Sequence, residues 1–151
     1  MITLILGCGR RRDDPEAIGL DIVDFGWNKV CDVSRETFPA GDSSVDAVLM
    51  ENILEHIARP AWPHLFNECW RVLKPGGVLT VIAPDAEKDM GMAMADPTHV
   101  SLVVKGTFAK YLTGEKPRNA DYGFKRWAVQ EIRQFAEKDP RAMYVRLTPQ
   151  K

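Results

Sequence analysis

Five short apolar runs, separated by polar loops, divide the first 84 residues and constrain the fold more than any other feature. They are rich in Val, Ile and Leu and do not alternate with polar residues: ITLIL (2–6), AIGLD (17–21), NKVCD (28–32), VDAVLM (45–50) and GVLTVIAP (77–84). Strands of a parallel sheet have this pattern because both of their faces are covered. We therefore predict five strands of a central, mostly parallel sheet.

One amphipathic helix is predicted between the fourth and fifth runs, over residues 63–73. Its apolar side chains recur at spacings of three and four, and Pro63 suits its first turn. Residues 74–77, KPGG, are typical of a helix end. Residues 51–57 predict a shorter helix after the fourth strand. The strand–helix–strand order indicates right-handed parallel crossovers, so residues 1–151 are predicted to form a single α/β domain.

The C-terminal third is less uniform in pattern. Residues 107–112, TFAKYL, predict a short helix. Residues 125–136 fit two alternatives: their apolar positions have helical spacing, and they also fit the first strand of an antiparallel hairpin completed by AMYVRLTP. The residues alone leave both open.

Composition indicates an ordinary soluble globular protein, with 45% hydrophobic and 27% charged residues. The three cysteines, Cys8, Cys31 and Cys69, form no CxxC pair, which predicts a reducing compartment, no disulfide framework and no bound metal. The first apolar run is too short to span a membrane, and its basic cluster follows the run, whereas a secretory signal places positive charge before it. We predict a cytoplasmic protein without a membrane partner.

Charge is unevenly distributed along the chain. Residues 1–104 carry nine basic and sixteen acidic side chains, whereas residues 105–151 carry eleven and five. A basic C-terminal third is compatible with an acidic partner such as nucleic acid, or with a solvated surface balanced by the acidic part. Because basic and aromatic residues do not form a nucleic-acid-binding signature, we favour the solvated surface.

A glycine turn and a carboxylate end the first two predicted strands. Gly7 and Gly9 flank Cys8, and glycine lets the backbone turn sharply and approach a ligand closely. Asp21 ends the second strand, where a carboxylate can accept hydrogen bonds from both hydroxyls of a ribose. Each feature alone also fits an ordinary turn or a surface aspartate. Together they predict a nucleoside-binding site.

The loop after the first strand argues against a dinucleotide. Its sequence, GCGRRR, lacks the third glycine of G-x-G-x-x-G, and the eleven residues between Leu6 and Ile18 barely accommodate a crossover helix. A pyrophosphate needs the amides of a helix N-terminus, whereas a nucleoside without phosphates does not. An NAD-dependent oxidoreductase is therefore disfavoured.

Four segments, in this order, resemble the class I S-adenosylmethionine-dependent methyltransferases: LGCG, GLDI, CDV followed by FPAGDSSVDAVLMENILEHI, and RVLKPGGVLTVIAPD. The resemblance implies a Rossmann-like methyltransferase fold whose mostly parallel sheet ends in an antiparallel hairpin, and it favours the strand alternative for residues 125–136. It implies S-adenosyl-L-methionine as the cofactor. The family's glycine loop is usually longer and opens a proper helix.

The resemblance assigns cofactor contacts to Gly7, Cys8, Gly9, Asp21, Ile22, Asp32, Val33, Glu51 and Asn52. The glycine turn would pack against the methionine and ribose, and Asp21 would bind the ribose hydroxyls. Ile22 would lie beneath the adenine. Arg10, or its neighbours Arg11 and Arg12, would supply a guanidinium in place of the missing helix dipole, with at least two of the three in solvent.

The remaining assignments concern the rest of the cofactor. Asp32 would accept a hydrogen bond from the adenine amino group, and the Val33 amide would meet a ring nitrogen. Glu51 and Asn52 would line the pocket near the methionyl end.

Two residues of the DPTH segment are the candidates for catalysis. His99, with Asp96, would steer a proton of the methyl acceptor at the mouth of the pocket, although Asp-Pro-Thr is equally a plain turn. His56 is more typical of a packing or capping residue. The function predicted is in-line methyl transfer to an acceptor that the sequence does not identify, a small molecule rather than nucleic acid. The alternative is a catalytically degenerate binding or interaction module, which the short glycine loop favours.

Overall fold

A seven-stranded sheet in the order β3-β2-β1-β4-β5-β7-β6 forms the centre of the computed structural model, which describes residues 1–10, 12–113 and 118–151. Strands β1 to β5 are parallel, whereas β7 is antiparallel to both β5 and β6. The strands are β1 Thr3–Leu6, β2 Ile18–Asp21, β3 Lys29–Val30, β4 Val45–Glu51, β5 Leu73–Pro84, β6 Trp127–Phe135 and β7 Asp139–Pro149. The predicted α/β class, with its mostly parallel sheet and antiparallel C-terminal hairpin, is confirmed.

The hairpin settles the two alternatives for residues 125–136 in favour of a strand. Trp127 lies opposite Pro149, and Val129 lies opposite Leu147. The register shifts between Val129 and Glu131 because of a β-bulge, so Ile132 faces the same side of the sheet as Val129. The bulge therefore explains why the apolar residues of this strand are spaced like those of a helix.

The helices differ from prediction mainly at their ends. They are α1 Trp62–Val72, α2 Met90–Ala95 and α3 Arg118–Asp121, with a π-helical segment at Thr107–Leu112 and 3₁₀ turns at Leu54–His56 and Arg59–Ala61. The helix predicted over residues 51–57 is only the 3₁₀ turn Leu54–His56, because Glu51 still belongs to β4 and Asn52 has a φ of 52°. The KPGG segment lies inside β5, since the chain is already extended from Leu73.

One face of the sheet is buried over its central strands. Leu4, Val48, Leu79 and Leu147 lie side by side on this face across four strands, each 0–1% exposed. Helix α1 packs on it through its own buried side chains, of which Phe66 contacts the rings of Phe108, Phe124 and Trp127 edge-on or tilted. The hydrophobic core therefore lies between this face and the helices.

The opposite face is only half covered. Ile5, Leu49, Thr80 and Arg146 lie side by side on it, and each is half-buried. None of the described residues between Leu6 and Lys29 is helical, so the connections between β1, β2 and β3 place no helix on this face. In the part of the chain that the structure describes, no helix is long and apolar enough to cross a membrane.

Candidate functional site

Three adjoining cavities lie at the carboxyl ends of the parallel strands, where ligands of open α/β sheets bind. The first cavity, of about 450 Å³, is lined by Gly7, Asp21, Ile22, Asp32 and Val33, among others. The second, of about 190 Å³, is lined by Glu51, Asn52, Met92, His99 and Lys138, among others. The third, of about 450 Å³, shares Gly7 with the first and Glu51, Asn52 and Lys138 with the second. All of the sequence-predicted site residues except Gly9, Arg10 and Asp96 thus line these cavities.

Gly7 begins the turn after β1 and has room for no side chain. Its amide donates to the Leu20 carbonyl at 2.8 Å, which ties the turn to β2. Its φ is 62°, and an added Cβ would lie 2.6 Å from Cδ1 of Ile53. Both the backbone conformation and the neighbouring side chain require glycine at this position.

Gly9 is held differently, by its backbone alone. Its amide donates to Oδ2 of Asp21 at 3.0 Å, and its carbonyl accepts a hydrogen bond from the indole of Trp27 at 3.2 Å. Its φ is 59°, yet no atom lies within 4 Å of an ideal Cβ. Open space therefore remains beside the Gly9 backbone, as a closely approaching ligand requires.

Trp27 covers the end of β2 on the half-covered face. A Cβ added to Gly19 would lie 2.6 Å from the Trp27 ring and 2.7 Å from Sγ of Cys8. The ring and the thiol therefore fill the space beside Gly19. Because the connections between β1, β2 and β3 contain no helix among the described residues, the Trp27 side chain packs against the glycine turn in place of one.

Asp21 joins the ends of β1 and β2. One oxygen accepts from the Gly9 amide and the other from the Val23 amide, each at 3.0 Å. A carboxylate has about four lone-pair positions, so both oxygens can accept further hydrogen bonds from a ligand in the first cavity. Ile22, which follows on the cavity wall, is 68% exposed and offers an apolar surface to the same ligand.

Asp32 and Val33 form another wall of the first cavity. The Ser34 hydroxyl donates to Oδ1 of Asp32 at 2.6 Å, and Arg35 pairs with Oδ2 at 2.8 Å. The hydrogen bond from the Ser34 hydroxyl is the largest cause of the lowered pKa of Asp32. Asp32 is therefore an ionised acceptor at neutral pH, and the Val33 side chain beside it is buried.

Cys8 is a poor candidate for a nucleophile. Burial, followed by the nearby charge of Asp21, raises the pKa of its thiol to about 11. A thiol with this pKa stays protonated at neutral pH, and the thiolate is the nucleophilic form. Its place beside the third cavity is consistent with a wall residue.

Asn52 and Glu51 end β4 between the second and third cavities. Asn52 has the left-handed conformation, which asparagine tolerates better than most residues, and its amide donates to the Ile82 carbonyl at 2.9 Å. Glu51 lies 3.5 Å from the ammonium of Lys138, measured from Oε1 to Nζ. No sequence pattern indicates Lys138 as a site residue, because only the β6–β7 hairpin brings it to this edge.

Segment 96–101 is fixed to the 3₁₀ turn after β4. The amides of Val100 and Ser101 both donate to the carbonyl of Glu55, at 2.9 and 3.0 Å. Nδ1 of His99 lies 2.8 Å from the carbonyl of Ala93. These hydrogen bonds fix the position of the DPTH segment relative to the rest of the site.

His99 and Asp96, the two residues predicted for catalysis, lie near each other. Nε2 of His99 lies 3.9 Å from Oδ2 of Asp96 and 4.0 Å from Oε1 of Glu55. The pKa of Asp96 is lowered, chiefly by the hydrogen bond from the Thr98 hydroxyl. His99 lines the second cavity and thus has access to a ligand there.

Glu55 is a residue of this site that the sequence did not reveal. It is 2% exposed, and burial raises the pKa of its carboxyl. Its Oε2 is buried with no hydrogen-bond partner in the described residues. His56, next to it, lines the first cavity, and its ring lies edge-on to that of His99 with centroids 4.8 Å apart.

Arg10 lies apart from these groups. Its guanidinium lies over the ring of Phe25, 5.7 Å from the centroid, and Arg12 lies over Trp27 at the same distance. Neither side chain lines the three cavities as the described residues form them, and Arg11 lies outside the described residues. The structure thus does not bring the predicted guanidinium to the site.

A larger cavity, of about 640 Å³, lies away from the strand ends, between the start of α1 and the π-helical segment. Its walls are mostly aromatic and aliphatic, with Trp62, Tyr111, Tyr122 and Phe124 among them. It contains none of the strand-end residues that could bind a nucleoside. We therefore place the functional site at the three smaller cavities.

Comparison with known proteins identifies a family and a fold that the chain resembles. Residues 14–81 match a family model described as a methyltransferase domain. No curated protein matches the chain significantly in sequence. An S-adenosylmethionine-dependent methyltransferase of Archaeoglobus fulgidus is similar in structure with a TM-score of 0.67 and 17% identity, over 97% of this chain and 85% of that one.

Two further solved structures have the same fold. A methyltransferase of Mesorhizobium loti has a TM-score of 0.68 and 13% identity, over 97% of this chain and 89% of that one. The Burkholderia thailandensis 1,6-didemethyltoxoflavin-N1-methyltransferase, solved with 1,6-didemethyltoxoflavin and S-adenosylhomocysteine, has a TM-score of 0.69 and 14% identity, over 99% and 71%. The chain therefore has the Rossmann-like fold of these enzymes, and its resemblance to the class I S-adenosylmethionine-dependent methyltransferases is confirmed.

Proposed function

We propose that this protein is a methyltransferase that uses S-adenosyl-L-methionine. The observation that carries the proposal is the first cavity, whose wall combines the glycine turn, the carboxylates of Asp21 and Asp32 and the exposed Ile22. These groups complement a nucleoside. The carboxylates can accept hydrogen bonds from its hydroxyl and amino groups, and Ile22 can pack against the flat face of its base. The family model and the fold support the same cofactor.

The residues of the site fit this cofactor. The first cavity lies within the range of roughly 300–1,000 Å³ that small-molecule sites occupy. Asp21 would hold the ribose hydroxyls, Ile22 and Val33 the adenine, and Asp32 the adenine amino group. Gly7, Cys8, Glu51 and Asn52, which line the third cavity, would hold the methionyl part. When bound, S-adenosylmethionine supplies an electrophilic methyl group on a sulfonium sulfur.

Positioning is the main contribution of the chain to such a transfer. Holding two reactants in line and excluding water can supply up to roughly 7–11 kcal/mol of the barrier. The site is prepared for this by backbone hydrogen bonds, such as those of Gly7 and Gly9 to β2. No protein nucleophile is required, which agrees with the protonated Cys8.

We propose a small molecule as the methyl acceptor, bound in the second cavity. That cavity, at about 190 Å³, is lined by Glu51, His99 and Lys138, which can hold polar groups. The Burkholderia neighbour was solved with 1,6-didemethyltoxoflavin bound, which supports a small-molecule acceptor by analogy. The three cysteines are free thiols, which supports a cytoplasmic location.

His99 is the residue proposed to act on the acceptor, with Asp96 beside it. With its Nδ1–H donated to the Ala93 carbonyl, the neutral ring keeps the lone pair on Nε2. This nitrogen can take the proton that an amine or hydroxyl acceptor releases. Such assistance is worth about 10²–10⁴-fold in rate.

Calorimetric titration with S-adenosylmethionine, S-adenosylhomocysteine and NAD tests the proposal. We expect the first two to bind and NAD not to bind. Release of S-adenosylhomocysteine is then followed over a panel of small amines, phenols and thiols. Absence of binding by both sulfur compounds would overturn the cofactor assignment, whereas binding without turnover on any acceptor would indicate the non-catalytic binding module.

A further inference from the structure

Three possible metal ligands meet between the first and second cavities. Glu55, His56 and His99 each offer one ligand atom, and these atoms all lie within 4.8 Å of one another. Ligand atoms held about 2.0–2.2 Å from a tetrahedral ion lie roughly 3.3–3.6 Å from one another, so these atoms need to approach by up to about 1.5 Å. Small rotations of the side chains would therefore bring all three onto a common ion.

The buried carboxylate of Glu55 is the second observation that indicates a ligand. Its Oε2 has no hydrogen-bond partner among the described residues, although the residue is 2% exposed. Buried polar atoms are almost always paired, and a buried carboxylate needs a compensating charge or donor.

The histidines are oriented as metal ligands usually are. A ligating histidine commonly donates its other ring N–H to a carbonyl or carboxylate, which fixes the tautomer and the ring. His99 has this arrangement, with Nδ1 2.8 Å from the Ala93 carbonyl. Nδ1 of His56 similarly lies 3.3 Å from the Thr98 carbonyl and 3.1 Å from the Thr98 hydroxyl.

We propose that Glu55, His56 and His99 form a binding site for a divalent transition-metal ion of the Zn²⁺ type. Two imidazoles and one carboxylate are a donor set that binds zinc in proteins. Oδ2 of Asp96, 3.9 Å from Nε2 of His99, is within reach as a further oxygen ligand. The ion would also compensate the two carboxylates of the cluster.

The site has a defined place relative to the proposed function. His56 lines the first cavity and His99 the second, so an ion between them adjoins both. In the metal-loaded protein, Nε2 of His99 is a ligand and no longer a proton acceptor. An acceptor hydroxyl bound to the ion would instead lose its proton to water, because coordination lowers its pKa.

The test is a titration of tag-free protein with Zn²⁺ by calorimetry and with Co²⁺ by visible absorption, without S-adenosylmethionine. We expect one ion per chain and ligand-field bands of Co²⁺. His99→Ala and Glu55→Gln should each weaken Zn²⁺ binding by at least about tenfold, since loss even of an outer-shell partner costs about 10–100-fold. His64→Ala and Cys8→Ser, which remove a histidine and a thiol outside the cluster, should leave it unchanged.

Two results would overturn the site: no Zn²⁺ binding by the wild type, or binding lost in Cys8→Ser or His64→Ala but kept in His99→Ala. Circular dichroism establishes that each variant is folded. If Glu55→Gln does not fold, the half-buried His56 provides the second ligand variant, His56→Ala. Because cofactor binding is measured separately, failure of the metal site leaves the methyltransferase proposal standing, and the reverse also holds.

Discussion

The two halves of the site differ in how their polar groups are satisfied. In the amino-terminal half, residues 7–34, both oxygens of Asp21 accept backbone amides and Asp32 accepts the Ser34 hydroxyl. In the histidine half, residues 51–56 and 96–101, Oε2 of Glu55 has no described partner and Nε2 of His99 has its carboxylates only at 3.9 and 4.0 Å.

This difference suggests that the amino-terminal half binds the cofactor and that the histidine half acts on the methyl acceptor. Groups that the chain itself holds in place keep one geometry and one charge, which suits the recognition of a constant ligand. Groups that are buried and incompletely paired change most easily when a proton, an ion or an acceptor arrives. We therefore expect variants of the amino-terminal half to change cofactor affinity, and variants of the histidine half to change turnover.

The largest effect is expected for Gly9→Val. A β-branched side chain would occupy the open space beside the turn and would resist a φ of 59°, so S-adenosylhomocysteine binding should weaken by at least about 100-fold. Gly76→Val is the matched control, because Gly76 also has a positive φ, 77°, and an open Cβ position but lies inside β5 away from the cavities. Equal affinity for the two variants in calorimetry would show that the turn is structural only.

Asp21→Ala is expected to weaken S-adenosylhomocysteine binding by about 1.5–3 kcal/mol, because charge-assisted hydrogen bonds to the ribose are lost. Asp24→Ala removes a carboxylate from the same loop, where it accepts only the Gly26 amide among the described contacts, and should change the dissociation constant little. An unchanged constant for a folded Asp21→Ala protein would remove the strongest support for the amino-terminal half as the nucleoside site.

His99→Ala should have the opposite profile. We expect affinity for S-adenosylhomocysteine to stay within about twofold, while turnover on an identified acceptor falls at least about tenfold, the cautious end of general-base effects. His64→Ala, whose ring contacts the Glu36 carbonyl outside the cavities, should retain both properties. A parallel loss of cofactor binding would place His99 in the cofactor wall and break the separation of the two halves.

The smallest effect is expected for Ser34→Ala, which removes the hydroxyl that stabilises ionised Asp32. The pKa of Asp32, lowered in the wild type, should rise towards its ordinary value, as carboxyl NMR titration would show. A lowered pKa stabilises the fold above the unfolded-state pKa. The free energy of unfolding of the wild type should therefore be higher than that of the variant by about 0.5–1.5 kcal/mol at neutral pH. This difference should vanish as pH falls through the pKa of folded Asp32. An identical pH dependence of unfolding for both proteins would contradict this account.

The sequence predicted most strands of the sheet and the edge at which the residues of the amino-terminal half lie, because both depend on local order. The apolar runs predicted β1, β2, β4 and most of β5. The residues just after each run lie at one edge of the sheet because these strands are parallel. The third run was the exception, since only Lys29–Val30 pair as β3 and both are exposed. Burial on both faces, which the pattern implied, is absent on the half-covered face, where Ile5 and Leu49 are only half-buried.

The histidine half could not be predicted in the same way. His56 and Thr98 are 42 residues apart in sequence and meet only through the fold. Glu55 has no sequence signature, because a buried unpaired carboxylate is defined by what packs around it. Lys138 reaches Glu51 through the turn of the β6–β7 hairpin, whose register depends on a bulge. These residues could be identified as parts of the site only from the tertiary structure.

Trp27 gives the glycine turn an intrinsic optical probe. Its indole donates to the Gly9 carbonyl and its ring covers Gly19, so a ligand that contacts the turn will alter the ring's surroundings and its fluorescence emission. Trp62 and Trp127 are buried in the core, and the ammonium groups of Lys125 and Lys151 lie 5.6 and 4.8 Å from the ring centroid of Trp70. The emission difference between wild type and Trp27→Phe therefore isolates one residue, and occupancy of the turn can be followed in real time without a label.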